Sequence, residues 1–128
     1  MSKVYNFVML GTNDLQKSSK FYDAVFEPLK LTKIITTDRY IGYGHSNKPN
    51  GVEFYITKPK NEEPATFGNG TMLAFLADSK EAVNKFHAIA LTQGAVNEGL
   101  PGLRDDGNYY AYVRDPNGNK ISATCISN

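Results

Sequence analysis

Residues 3–10 form a mostly apolar run, and beyond it the spacing of apolar positions changes. Tyr22, Val25, Phe26 and Leu29 recur at intervals of three and four, which places them on one face of a helix over 15–29. Asp14 stands at the N-cap, where a carboxylate accepts first-turn N–H groups, and Pro28 followed by Lys30-Leu31 brings the helix to its end. Three short β-rich runs follow, at about 31–37, 40–45 and 52–57, parted by Asp38-Arg39 and by the turn-forming residues 46–51. The first part of the chain therefore reads β-α-β-β-β.

Residues 58–70, with Pro59, Pro64, Gly68 and Gly70, have the composition of a surface connector. The same order of elements then returns. Thr71 to Ala77 reads as a strand, Asp78 or Ser79 as a helix cap, and Glu81 is spaced from Asp78 as in a capping box. Ala82, Phe86, Ile89 and Ala90 make the apolar face of the second helix, which Gly94 closes. A short strand near 95–97 leads into a loop rich in glycine and charge over 97–108. Tyr109 to Arg114 alternates as a strand, Asp115-Pro116-Asn117-Gly118-Asn119 forms a tight turn, and Lys120 to Ile126 is the last strand.

The two parts also copy each other in sequence. Phe7 to Leu10 followed by Lys20-Phe21-Tyr22 aligns with Met72 to Phe75 followed by Lys85-Phe86-His87, at a constant offset of 65 residues. A chain of 128 residues with such a half-repeat reads as one α+β domain of two paired β-α-β-β-β modules. Module one covers about 1–57, the linker 58–70 and module two about 71–128.

Composition narrows the function by exclusion. At this length a single domain buries on the order of two thirds of its unfolded surface, so it needs neither disulfides nor a metal to fold. With 14 basic and 13 acidic residues intermixed, the net charge of +1 offers no nucleic-acid-binding stripe. Cys125 is the only cysteine, which rules out an internal disulfide and a cysteine zinc site and suits a reducing cytoplasm. No run approaches the roughly 18 to 20 apolar residues of a membrane span. Phosphate loops, serine nucleophile elbows and HExxH spacings are absent.

Val8-Met9-Leu10-Gly11-Thr12-Asn13-Asp14-Leu15 leading into Lys20-Phe21-Tyr22, together with Tyr110-Ala111-Tyr112-Val113-Arg114-Asp115-Pro116-Asn117-Gly118-Asn119, resembles the vicinal-oxygen-chelate superfamily over nearly the whole chain. That superfamily includes glyoxalase I, bleomycin-resistance proteins and extradiol dioxygenases. The resemblance implies a curled mixed sheet around a substrate cleft and a homodimer. In metal-dependent members, ligands on the first, fourth, fifth and eighth strands converge on one divalent ion. The positions implied here for the first, fifth and eighth strands are Phe7, Met72 and Ser122. A phenyl ring has no lone pair to give, a thioether is soft and weak, and a neutral hydroxyl is a poor anchor. Only Glu53 remains near the fourth-strand position, so the expectation is no metal and no cofactor.

The candidate site is thus an apolar cleft for a small organic molecule, with Phe7, Tyr55, Met72, Tyr110 and Ser122 facing it. Arg104, on the loop before the seventh strand, is a candidate contact for an anionic ligand. Glu53 and His45 are the candidate acid-base pair for metal-free chemistry. The strand tyrosines Tyr40, Tyr43, Tyr55, Tyr109, Tyr110 and Tyr112 serve either as sheet packing or as a wall with hydroxyls to orient a ligand. His87 reads as a packing histidine and Cys125 as a small, unactivated side chain. Two other readings stay open: a metal-dependent lyase or dioxygenase that recruits Glu53, His45 and a residue of a partner chain, and an antibiotic-sequestering resistance protein. A cationic antibiotic would favour an acidic groove, which the balanced charge does not provide.

Overall fold

The computed structural model describes residues 4–46 and 48–127. The expected strand start at residue 3 and Asn47 of the expected turn lie outside the described residues. Strand β1 (Val8–Gly11) leads into α1 (Leu15–Val25), then β2 (Thr32–Thr36), β3 (Tyr40–Gly44), a short 3-10 turn at Pro49–Gly51, and β4 (Phe54–Thr57). Module two repeats the order: β5 (Leu73–Leu76), α2 (Lys80–Thr92), β6 (Val96–Leu103), β7 (Tyr109–Arg114) and β8 (Lys120–Cys125). Two four-stranded mixed sheets result, ordered β1-β4-β3-β2 and β5-β8-β7-β6. Their topologies match. β1 runs parallel to β4 and β5 parallel to β8, while the remaining pairs are antiparallel. The sheets do not join or close on each other. Among the described residues no helix is long and apolar enough to cross a membrane.

Asp14 caps α1 by accepting the Lys17 N–H at 3.1 Å. The helix stops at Val25, short of the expected residue 29, because Pro28 has no N–H to return to Ala24. Tight turns carry the chain on through Lys30, whose φ of 65° lies in the left-handed region. In α2 the cap is Ser79, whose Oγ accepts the Ala82 N–H at 3.0 Å. That shifts the helical frame by one residue, so Glu81 pairs with Lys85 and makes no capping box. The buried face is accordingly Val83, Phe86, His87 and Ala90, with Ala82 and Ile89 half-buried. Asp78, the other cap candidate, reaches Lys30 at 2.9 Å. Gly94 ends the helix region at φ 96°, as expected.

The inner faces of both sheets pack on the two helices as one core. Ile41, Tyr43, Phe54 and Ile56 meet Tyr22, Val25 and Phe26; Ala111, Val113, Ile121 and Ala123 belong with Val83, Phe86 and Ala90. Phe75 joins the halves, its ring centroid 5.0 Å from Phe26 and 5.5 Å from Phe54. Edge-to-face contacts of this kind contribute beyond the area they bury.

A polar latch fastens the β7–β8 turn to the β1–α1 turn. Tyr22 donates its hydroxyl to Asp115 Oδ2 at 2.6 Å, with the tyrosine fully buried and Asp115 only 2% exposed. Asp115 also accepts from the Asn117 and Asn119 backbone N–H groups and from Asn119 Nδ2. Asn119 Nδ2 reaches on to the Gly11 carbonyl, and Asn117 bridges Thr12, Asn13 and Ser18. Burial, and then the neighbouring Asp115 charge and its hydrogen bond, push the Tyr22 phenol well above its ordinary range. The phenol therefore stays protonated and donating.

Tyr22→Phe removes one donor from a buried carboxylate. It is expected to destabilise the fold by about 2 kcal/mol, read as a lower urea midpoint at unchanged slope, and Asp115→Ala, which orphans several donors, by more.

Candidate functional site

Strand alternation sends every second residue away from the helices, and on these outer faces the candidate ligand residues collect. On module one, Met9 pairs with Tyr55 and Tyr55 with Gly42. Phe7 lies edge-on to Tyr55 at 4.8 Å, and Tyr40 meets the same ring at 5.3 Å. Gly42 is needed beneath this cluster: a Cβ there would stand 2.8 Å from Ile35, 2.9 Å from Val52 and 3.0 Å from Tyr55. Phe7 and Met9 stay 44% and 42% exposed.

On module two, Ala74 pairs with Ser122 and Ser122 with Tyr112, while Thr124 pairs with Tyr110. The Tyr110 and Tyr112 rings stack at 5.5 Å and 6°. Met72 precedes β5 and is 42% exposed. Ser122 and Thr124 are buried, and neither hydroxyl has a hydrogen-bond partner. Tyr110 donates to Asp106 Oδ2 at 2.5 Å; that bond raises the phenol and lowers the carboxyl relative to their usual ranges.

Arg104 stands where expected, on the loop before β7. The expected loop over 97–108 is mostly strand: β6 extends to Leu103 and pairs with β7 through two register shifts. Glycine and charge in 97–108 suggested a loop, but Gly99 and Gly102 sit opposite Tyr112 and Tyr110 and make room there. Arg104 folds back over them, donating from Nη2 to the Leu100 carbonyl at 2.7 Å, with its guanidinium carbon 5.3 Å from the Tyr112 centroid. A Cβ on Gly99 would stand 3.2 Å from Nη2, and one on Gly102 3.1 Å from Nη1. Lys120 Nζ stands 5.4 Å from the same Tyr112 ring.

The candidate acid-base pair does come together. His45 Nδ1 lies 2.8 Å from Glu53 Oε2, and the His45 backbone N–H donates to the same oxygen at 3.0 Å. The pair borders a groove of about 560 Å³ whose apolar walls include Val8, Leu29, Phe54, Leu73 and Phe75. Side-chain exposures of 55% for His45 and 41% for Glu53 leave both well hydrated. His87 is buried and bonded through Nε2 to Asn97 at 2.9 Å. Cys125 is half-buried.

Two arrangements are thus distinct in the single chain: the His45–Glu53 groove, and the outer sheet faces carrying Phe7 and Tyr55 on one module and Tyr110, Ser122 and Arg104 on the other. Among the described residues, Phe7, Met72 and Ser122 do not line the His45–Glu53 groove. The positions that the resemblance assigns to metal ligands carry no imidazole or carboxylate, so this donor set does not fit a divalent ion. Among the described residues no group of three or more His, Cys, Asp or Glu stands close enough to hold one. Thr124 and Lys120 were missed from sequence, although each lies two residues from Ser122 on the same alternating strand.

The profile of the Glyoxalase/Bleomycin resistance protein/Dioxygenase superfamily matches residues 5–123. No curated protein matches the chain significantly. A crystal structure of a glyoxalase/bleomycin resistance protein from Albidiferax ferrireducens T118 is 41% identical, with a TM-score of 0.88 over 98% of this chain and 100% of that one. A glyoxalase/bleomycin resistance protein/dioxygenase family enzyme from Burkholderia phytofirmans PsJN superposes at 0.72 with 22% identity, over 95% and 98% of the two chains. Lactoylglutathione lyase from Agrobacterium tumefaciens superposes at 0.66 with 19% identity, over 97% and 95%. With the profile spanning nearly its whole length, this chain belongs to the Glyoxalase/Bleomycin resistance protein/Dioxygenase superfamily.

Proposed function

We propose that this protein is a metal-independent member of its superfamily that binds a small organic molecule against the aromatic outer faces of its sheets. The observation that carries this reading is the pair of hydroxyls of Ser122 and Thr124, buried and unpartnered beside the stacked Tyr110 and Tyr112. A buried hydroxyl without a partner destabilises a fold by about 1–3 kcal/mol, so two neighbouring ones on a face with exposed Met72 point to a use outside the folding of the single chain. Phe7 and Met72, at positions where metal-dependent relatives place ligands, suit an apolar body better than a cation.

A second copy of the chain completes the site in this reading. Phe7 and Met9 on one module and Met72, Leu76, Leu100 and Leu103 on the other leave apolar surface that a homodimer would cover. The His45–Glu53 hydrogen bond favours a second reading, in which the pair moves a proton on a molecule seated in the 560 Å³ groove. A location in the cytoplasm, which the lone cysteine suits, is part of the proposal.

Three measurements test it. Protein dialysed after purification is expected to hold far less than one Ni, Zn, Mn or Fe per chain, and these ions to leave its melting temperature unmoved; a retained stoichiometric metal would refute metal independence. Ser122→Ala and Thr124→Val are expected to be neutral or stabilising by about 1 kcal/mol, whereas a loss of about 2 kcal/mol or more would mean that the hydroxyls already serve the fold. Sedimentation should give a dimer that Phe7→Glu drives to monomer.

A further inference from the structure

Arg104, Arg114 and Lys120 stand on the outer face of module two with Glu98, Asp105 and Asp106 nearby, and among the described residues only Arg114 is ion-paired. Arg114 is engaged: it pairs with Glu98 at 3.2 Å, donates to the Gly118 carbonyl at 2.9 Å and stands over Phe67. Arg104 and Lys120 differ from it. Both lie over the Tyr112 ring, at 5.3 and 5.4 Å, and neither forms an ion pair among the described residues. Of the nearby acids, Glu98 belongs to Arg114, and Asp106 accepts from the Tyr110 hydroxyl and the Asn108 backbone. Asp105 is exposed in the turn that follows Arg104.

Neither cation has a carboxylate within ion-pair distance among the described residues, so each is open to an anion that a ligand brings. The Arg104 guanidinium is also held in place for that role. Its bond to the Leu100 carbonyl fixes one edge, and the glycines at 99 and 102 leave the space it occupies. A planar guanidinium fixed in advance loses little freedom on meeting a carboxylate, which it can hold through two parallel N–H donors. The same face contains the hydroxyls of Ser122 and Thr124, buried and, among the described residues, without a hydrogen-bond partner. Tyr110 and Tyr112 supply flat apolar surface for the body of the molecule.

We propose that this face selects a small planar acid, its carboxylate taken by Arg104 and Lys120 and its body lying against Tyr110 and Tyr112. The inference rests on the small-molecule reading above and names the ligand class. It places the selectivity on module two, away from the His45–Glu53 groove.

Benzoate and its neutral isostere benzamide separate the two claims, with inorganic phosphate as a bare anion, each titrated into isotopically labelled full-length protein followed by amide NMR shifts. Benzoate is expected to move the Tyr112, Ser122 and Thr124 signals saturably and more weakly at high salt, with benzamide at least about tenfold weaker. Phosphate should bind more weakly than benzoate, because it lacks the ring. Arg104→Gln should weaken benzoate by about tenfold or more in a protein whose remaining spectrum is unchanged, and Lys120→Gln by less; Lys17→Gln, on the far helix, should have no effect. Equal binding of benzamide and benzoate on this face would overturn the acid preference and leave the small-molecule reading standing. Phosphate binding as tightly as benzoate would overturn the aromatic part. Silence from all three probes, shifts confined to other surfaces, or full benzoate affinity in both Arg104→Gln and Lys120→Gln would overturn the inference itself.

Discussion

The Asp115 carboxylate, buried where the two modules meet, accepts hydrogen bonds from Tyr22, from the Asn117 and Asn119 backbones and from the Asn119 side chain. A buried charge is tolerated only when its lone pairs are filled, and here both modules are required to fill them. Asn119 and Asn117 extend the connection to Gly11, Thr12, Asn13 and Ser18, so the turn between β7 and β8 is docked on the turn between β1 and α1. The orientation of one sheet relative to the other follows. Phe75, wedged against Phe26 and Phe54, supports that orientation from the apolar side. The half-repeat does not reproduce this latch, because module two has His87 where module one has Tyr22, and His87 is bonded to Asn97 within its own module.

The element order and the paired modules were legible because the helices and every strand but β6 have their own apolar period and turn residues. Errors arose where one residue decided a frame. Asp78 and Ser79 are both good caps, and only the reach of Ser79 Oγ to Ala82 selects the second. Pro28 was rightly read as a stop, but its missing N–H acts a turn earlier than its own position. The motif Asp115-Pro116-Asn117-Gly118-Asn119 was read as a turn, which it is. Its larger role as a latch joins residues about a hundred positions apart, and no local pattern encodes such a contact.

The site was legible in residue types and not in arrangement. Glu53 and His45 were named together as an acid-base pair, and the structure sets them within hydrogen-bond distance. The resemblance directed attention to Phe7, Met72 and Ser122, yet in the single chain they belong to the outer faces of two separate sheets. Arg104 was expected on the loop before the seventh strand, and it lies there, one residue past β6. Gly99 and Gly102, which suggested that the loop began at 97, instead give β6 a surface without side chains on which a guanidinium can lie. Glycine in a strand is thus ambiguous from sequence: it reads as a break where its use is to let a neighbour approach.

The division between core-facing and outward-facing positions has a simple physical basis in this fold. On β1, β5 and β8 the inward residues Val8, Leu10, Leu73, Phe75, Ile121 and Ala123 belong to or pack against the common core, and their alternating neighbours point away from the helices. An outward side chain contributes little to that core, so a change at Phe7 leaves the inner packing and the latch as they were. The outward residues can then change their chemistry at little cost to folding, provided that what they bury is satisfied by something. Ser122 and Thr124 are the exception that makes the point, because they are buried and unsatisfied within one chain. Alanine and valine at these positions would fill nearly the same space without the cost of burying a hydroxyl.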